Sequence, residues 1–100
     1  MTFRFHPEAL AEFEGATRYY AAIQNELAQR FVSSVEIAIE ELAEQPLAFA
    51  LMAHDVRRCL TRVFPYAVLY TIEVDYILIV AVMHCHQEPG YWRHRTTPQT

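Results

Sequence analysis

The stretch from Ile77 to Met83 admits few structures: it is an unbroken apolar run with no polar side chain to mark an outer face. A strand apolar on both faces is either a central strand covered on both sides, or one covered on a single side and awaiting a partner on the other. Its neighbours also read with a period of two from Asp55 onward. Val56 to Phe64 is a strand candidate that carries arginines. Pro65 interrupts it, and because proline cannot donate to a ladder, a bulge or tight turn belongs there. Tyr66 to Glu73 is the next strand, Val74-Asp75 a hairpin turn without the usual glycine, and Tyr76 to Cys85 the last strand.

Upstream of Asp55 the period is helical. Thr2 to His6 alternates as a half-buried strand does, and Pro7 then occupies a position suited to the first residue of a helix, with His6 as its cap and Glu8 at the positive end of the dipole. Leu10, Phe13, Thr17, Tyr20 and Ala21 fall on one stripe, with Glu8, Glu12 and Arg18 off it. After a polar break at Gln24-Asn25, Leu27, Phe31, Val35, Ala38 and Leu42 mark a second helix that stops before Pro46. So short a break makes the two helices an antiparallel hairpin. Leu47 to Met52 is apolar without a period; it closes the core under a loop or forms an exposed docking patch, and the core reading is preferred. The expected fold is α+β: a two-layer β-α-α-β-β-β chain with the helix hairpin packed on an antiparallel sheet.

Composition narrows the class. With 100 residues and 53% hydrophobic content the chain is a single domain, residues 1–100 with an ordered part of about 2–93, and not a disordered one. Two cysteines, Cys59 and Cys85, are too few for a disulfide framework, and both are read as small core hydrophobes. No apolar run reaches membrane-spanning length and no leader-like stretch precedes the first strand, so the expectation is a soluble cytoplasmic protein with no membrane partner. The net charge of -4 argues against broad nucleic-acid binding. Lysine is absent and all 8 positive charges are arginine, clustered at Arg57, Arg58 and Arg62 and again at Arg93 and Arg95. Arginine suits bidentate capture of carboxylates or phosphates, though coding bias alone also removes lysine.

Four segments, in this order and spacing, resemble the RelE/ParE superfamily of toxin components and its ParE-like branch in particular. They are Phe5-His6-Pro7-Glu8-Ala9, Val56-Arg57-Arg58, Arg62-Val63-Phe64-Pro65-Tyr66-Ala67-Val68 with Tyr70, and Ala81-Val82-Met83-His84 running to Pro89-Gly90-Tyr91-Trp92. The resemblance spans about residues 3 to 93. It implies the toxin of a type II toxin–antitoxin pair, neutralised by a co-encoded antitoxin whose flexible tail occupies the toxin's groove. One branch cleaves ribosome-bound mRNA, while the ParE branch is associated with inhibition of DNA gyrase. No cofactor is implied. The chain departs from the ribonuclease pattern, since His84-Cys85-His86-Gln87 stands where relatives often carry two arginines after the histidine.

Two activities and a degenerate third follow. A binding toxin would use Arg57, Arg58, Arg62, Tyr66, Tyr70, Tyr91 and Trp92 against its antitoxin or target, since arginine and aromatics dominate interface hot spots. Tyr66 and Tyr70 are equally well read as core. A ribosome-dependent mRNA endonuclease would need Arg62 for transition-state charge, His84 or His86 for proton transfer, and Tyr91 as a further donor. The missing basic residues weigh against it. They equally suit a non-toxic member kept as an antitoxin-binding module. Metal binding has only His84 and His86, two apart on one strand face, with no motif naming further ligands among Glu88, His94, His54 and Cys59; no metal is expected. The oligomeric state is open between a homodimer and a toxin–antitoxin hetero-oligomer.

Overall fold

His6 and Pro7 turn the first strand into the first helix, and a computed structural model that describes residues 1–96 shows how. The His6 Nδ1 accepts the Glu8 N–H at 3.1 Å, satisfying one of the unpaired donors of the first turn. Pro7 has no N–H to satisfy. Strand β1 is Phe3–Phe5, helix α1 Pro7–Ile23 and helix α2 Asn25–Glu44. Gln24, in extended backbone, is the whole hinge between the helices, and α2 ends just short of Pro46. The remaining strands are β2 (Ala50–Ala53), β3 (Val56–Leu60), β4 (Tyr66–Ile72) and β5 (Ile77–His84), followed by a 3-10 turn at Arg93–Arg95.

The five strands lie in the order β1-β5-β4-β3-β2. The helix hairpin covers one face, as the α+β reading expects. Two features differ from it. β1 runs parallel to β5, pairing Phe3–Phe5 with Ile77–Ile79, so the sheet is mixed. Ala50–Ala53 forms an edge strand, antiparallel to β3, in the segment read as an apolar loop. That segment does not fill the core: Leu47 and Leu51 are exposed, and of this stretch Phe49 packs on the central cluster.

Phe31 holds the helix layer to the sheet. Its ring is fully buried and meets Phe13, Tyr20, Phe64 and Tyr66 at centroid distances of 4.9 to 6.0 Å, mostly edge to face. Val35, Ala38, Ile39 and Leu42 continue the buried stripe of α2 along the expected spacing. On α1 the buried stripe is rotated from the expected one. Ala9, Phe13, Ala16 and Tyr20 face the core, whereas Leu10 is exposed.

β5 is covered on both faces. Ile77, Ile79 and Val82 point into the helix-side core, while Val80, Ala81 and Met83 belong to a second cluster with Val56, Leu69 and Trp92. The cover on this second side is the segment after β5, which returns across the sheet. Cys59 is buried and Cys85, beyond the end of β5, is exposed, so only the first fits the core reading. The expected strand from Val56 to Phe64 ends at Leu60 because Thr61 turns the chain: its hydroxyl donates to the Phe64 and Tyr66 carbonyls at 2.9 and 3.1 Å. Val63 at the tip has a φ of 72°, a conformation that costs a β-branched residue roughly 1–3 kcal/mol. Of the tail beyond the expected ordered part of about 2–93, residues 97–100 lie outside the described residues. Among those described, no helix is long and apolar enough to cross a membrane.

Tyr70 ties the sheet to the end of α2. It is fully buried, and its hydroxyl donates to the Pro46 carbonyl at 2.6 Å. Arg57, its cross-strand neighbour, donates to the Phe49 carbonyl at 2.7 Å. Together they pin the connection from α2 to β2. Replacing Tyr70 by Phe keeps the packing but leaves a carbonyl short of a partner, a loss of about 1–2 kcal/mol. Urea unfolding of Tyr70→Phe should show a lower midpoint at unchanged slope; an unchanged midpoint would mean that the bond carries no net stability.

Candidate functional site

The mismatch between a 3-residue β1 and an 8-residue β5 leaves a length of strand edge without a partner strand. The His6 N–H donates to the Ile79 carbonyl at 2.9 Å, and then the chain turns away into α1. Past that point β5 has a bulge: Leu69 pairs with Ala81 and Tyr70 with Ile79, so Val80 is the extra residue. Cys85 N–H reaches inward to the Pro65 carbonyl. By the alternation of an antiparallel ladder, the Val82 and His84 N–H groups then point out of the sheet.

Side chains fill the near part of this edge. Glu12, on α1, accepts the Val82 N–H at 3.1 Å. Arg95 donates to the Val80 carbonyl at 3.2 Å and holds both Glu12 carboxylate oxygens, at 2.8 and 3.1 Å. The Tyr91 hydroxyl donates to the same carboxylate at 2.6 Å. One carboxylate thus receives four hydrogen bonds from the strand and from the C-terminal strap, residues 85–96. Arg95 is only 7% exposed, so its guanidinium is charged in a largely desolvated place and the bidentate pair matters. Its Nε lies 3.2 Å from Glu8 Oε2 but off the angle of a hydrogen bond. His94 Nε2 lies 2.7 Å from the same oxygen, and this contact holds the Glu8 carboxyl below the ordinary carboxylate range. The strap's bend needs Gly90, whose φ is +81° and where a Cβ would come within 2.7 Å of Arg93 Nε.

Further along the edge lies a groove of about 340 Å³, lined by Glu12, Gly15, Ala16, Tyr19, Tyr66 and His84. Gly15 and Ala16 make room because they carry almost no side chain. Tyr20, Tyr66, His84 and His86 form a ring series beside it, with successive centroids 6.3, 5.1 and 5.3 Å apart. Tyr19 continues the series from Tyr20 at 5.2 Å and stands largely in solvent. The His84 Nδ1 accepts the His86 N–H at 3.1 Å, and the Gln87 N–H donates to the His84 carbonyl at 2.9 Å, which folds the strand end into a tight turn.

The residues singled out in the sequence divide. Tyr66, His84 and His86 come together at the groove, and Tyr91 adjoins them through Glu12. Arg62 reaches Glu41 of α2 instead, at 3.2 Å, with side chains 78% and 41% exposed, a pair worth about 0–1 kcal/mol. Arg57 and Tyr70 hold the α2–β2 connection, and Trp92 is buried against the second face of the sheet. Arg58 is exposed on β3. Among the described residues, no three His, Cys, Asp or Glu side chains are grouped to hold a metal ion. Glu12 and Arg95 were missed as a pair. The available signal was Glu8 and Glu12, one turn apart on α1, against the late arginine cluster; sequence spacing says nothing about a contact 83 residues apart.

Tyrosines dominate the titration of this region. Burial pushes Tyr91 well above the ordinary phenol range, and the hydrogen bond to the Glu12 carboxylate adds to it. Burial likewise raises Tyr20 and Tyr66, and raises Tyr70 to about 12. An unfolded tyrosine titrates near 10, so above about pH 10 the unfolded chain gives up protons that the folded chain keeps. The tyrosines should therefore make stability fall as pH rises from about 10 toward 12, adding to a loss that begins near pH 9 because burial raises the Cys59 thiol to about 11. Tyr91→Phe should flatten that fall by one proton's worth of slope, measured as urea midpoints against pH. An identical slope in wild type and variant would show that Tyr91 ionises freely in the folded state.

Comparison with known proteins identifies the family and the fold. The family model described as the ParE toxin of type II toxin–antitoxin system, parDE, matches residues 3–89; Tyr91 and Arg95 of the strap lie beyond the match. A solved structure described as the chromosomal ParDE TA system from P. aeruginosa contains a chain that superposes with a TM-score of 0.71 at 17% identity. The alignment covers 84% of this chain and 95% of that one, and at such identity it speaks for the fold. A search of curated proteins finds no match. The family model covers most of the sequence, and the chain belongs to the ParE toxin family of type II toxin–antitoxin systems.

Proposed function

We propose that this chain is a single-domain toxin that works by binding and blocking a cellular target, DNA gyrase being the one that its family branch suggests, and that a co-encoded antitoxin neutralises it. The observation that carries this reading is the separation of the groups a nuclease would need. Arg62, the candidate for transition-state charge, is turned to Glu41 on α2, and the Tyr91 hydroxyl is committed to Glu12. The histidines are left beside aromatic rings and a groove. Arg95, which meets the lining of the groove at Glu12, is already held by that carboxylate. Without a free cation near the scissile phosphate, two imidazoles do little to stabilise the charge that builds there.

The groove is better suited to binding. It offers tyrosine rings, small residues that admit a partner's backbone, and an outward-pointing His84 N–H at the end of a strand edge, which an extended segment of the antitoxin would meet as an added strand. The alternative, a ribosome-dependent mRNA endonuclease, is favoured by one observation: His84 and His86 sit 5.3 Å apart beside Tyr66, a pair able to exchange protons. A non-toxic antitoxin-binding module would use the same groove without a target.

The discriminating experiment sets purified toxin against gyrase-driven DNA supercoiling and, separately, against mRNA on translating ribosomes. Binding and blocking predicts inhibited supercoiling and intact mRNA. In the supercoiling assay His84→Ala should raise the half-inhibitory concentration by about ten- to thirtyfold, the effect of one hot-spot side chain. Cut mRNA, abolished by several orders of magnitude in His84→Ala, would establish the nuclease instead. Failure of both assays would leave only the binding module.

A further inference from the structure

A second cleft lies away from the β5 groove, between the outer face of α2 and the β3–β4 turn. It encloses about 470 Å³ and is lined by Arg30, Ser33, Ile37, Arg62, Val63 and Phe64. The spacing of its helical residues explains the wall. Arg30, Ser33, Ile37 and Glu41 recur every three or four positions, so they form one stripe on α2 facing the turn. The floor is apolar: Phe64 is buried against Phe31 and Tyr20, while Ile37 and Val63 expose their side chains around it. Two guanidiniums, Arg30 and Arg62, line the cleft against one carboxylate, Glu26, in a chain whose net charge is -4.

Three features mark this cleft as built to receive something. Arg30 has no ion-pair or hydrogen-bond partner among the described residues. Arg62 holds Glu41 in a solvent-exposed pair, so its present carboxylate is one that an incoming carboxylate can exchange with at little loss. Val63 at the rim has the left-handed backbone that a β-branched residue rarely adopts, and it is 86% exposed, so no burial of its own side chain accounts for the conformation. Strain of that kind is found where a turn is shaped for contact.

We infer that this cleft docks an acidic side chain flanked by apolar residues, presented by a protein partner, with its carboxylate between Arg30 and Arg62 and its apolar neighbour on Phe64, Ile37 and Val63. The Arg62–Glu41 contact already shows this guanidinium donating to a carboxylate at the border of the cleft. Ser33 supplies a further donor. A phosphate group is disfavoured, because Glu26 also lines the cleft and Glu41 borders it, and both repel a dianion more than a single carboxylate. The lining also offers a large apolar floor that a nucleic-acid backbone leaves uncovered. The inference does not depend on which target the toxin blocks, nor on the β5 groove.

The test uses the full chain and backbone-amide NMR titration with the acetylated, amidated tetrapeptide Asp-Phe-Leu-Gln, which carries one carboxylate, its Asn-Phe-Leu-Gln counterpart, and inorganic phosphate. The acidic peptide should shift the amides of Ser33, Ile37 and Val63, and the amide counterpart should bind about tenfold more weakly, as expected for losing a charge-assisted contact. Arg30→Gln should weaken the acidic peptide by a similar factor. Glu41→Gln should strengthen it by about two- to fivefold by freeing Arg62, a gain that a merely structural disturbance would not produce. Equal binding of the two peptides, or no shift at these amides, overturns the proposal. Phosphate shifting the same amides more strongly than the peptide overturns it in favour of a nucleic-acid contact.

Discussion

The carboxylate of Glu12 does the work of a missing strand. β5 is longer than the strand beside it, and an outward N–H or carbonyl left unpaired under a covering segment costs about 1–3 kcal/mol. Glu12 takes the Val82 N–H, and Arg95 supplies the Val80 carbonyl from the other side. The same two side chains pair with each other, so the strand edge, α1 and the C-terminal strap meet at one ion pair. An open edge also invites pairing with foreign strands, and side chains bonded along it blunt that tendency where they sit. The groove begins where their reach ends.

The sheet is covered unequally as a result. On one side two long helices pack through Phe31 and its aromatic neighbours, a cover with many independent contacts. On the other, the strap spreads over Val80, Ala81 and Met83 largely through Trp92, and it is kept in place by Tyr91 and Arg95. The β5 run is thus satisfied on both faces, but the second face depends on a thin cover anchored at a charged pair. On this account stability should be graded across the molecule, with the strap opening before the helix-covered core.

Much of this was legible in the sequence, and the exceptions share a cause. The His6 cap, the hinge at Gln24, the stop before Pro46 and the doubly apolar β5 are local patterns, and each is realised. β1 was read in place, but a strand as short as Phe3–Phe5 carries no signal for parallel against antiparallel pairing. β2 has no alternation to read, and its side chains stay exposed because it is an edge. Leu10 looked like core because hydrophobicity alone does not fix the rotation of a helix that is only partly buried; Ala9, a smaller residue, takes the inward place. At the candidate site, Tyr66 and His84 were visible as residue types, while Glu12 read as a solvated helix position. Its role exists only once the far end of the chain has folded back.

Glu12 and Arg95 hold the β5 edge up to the groove, so the strength of that hold sets how much of the edge lies open. Amide hydrogen exchange in wild type and Glu12→Ala tests that hold most directly. The account predicts that the Val82 amide and the strap residues around Tyr91 exchange at least about tenfold faster in the variant, while Val68 in β4 keeps its protection. Unchanged exchange at Val82, or an equal rise at every amide, would contradict it.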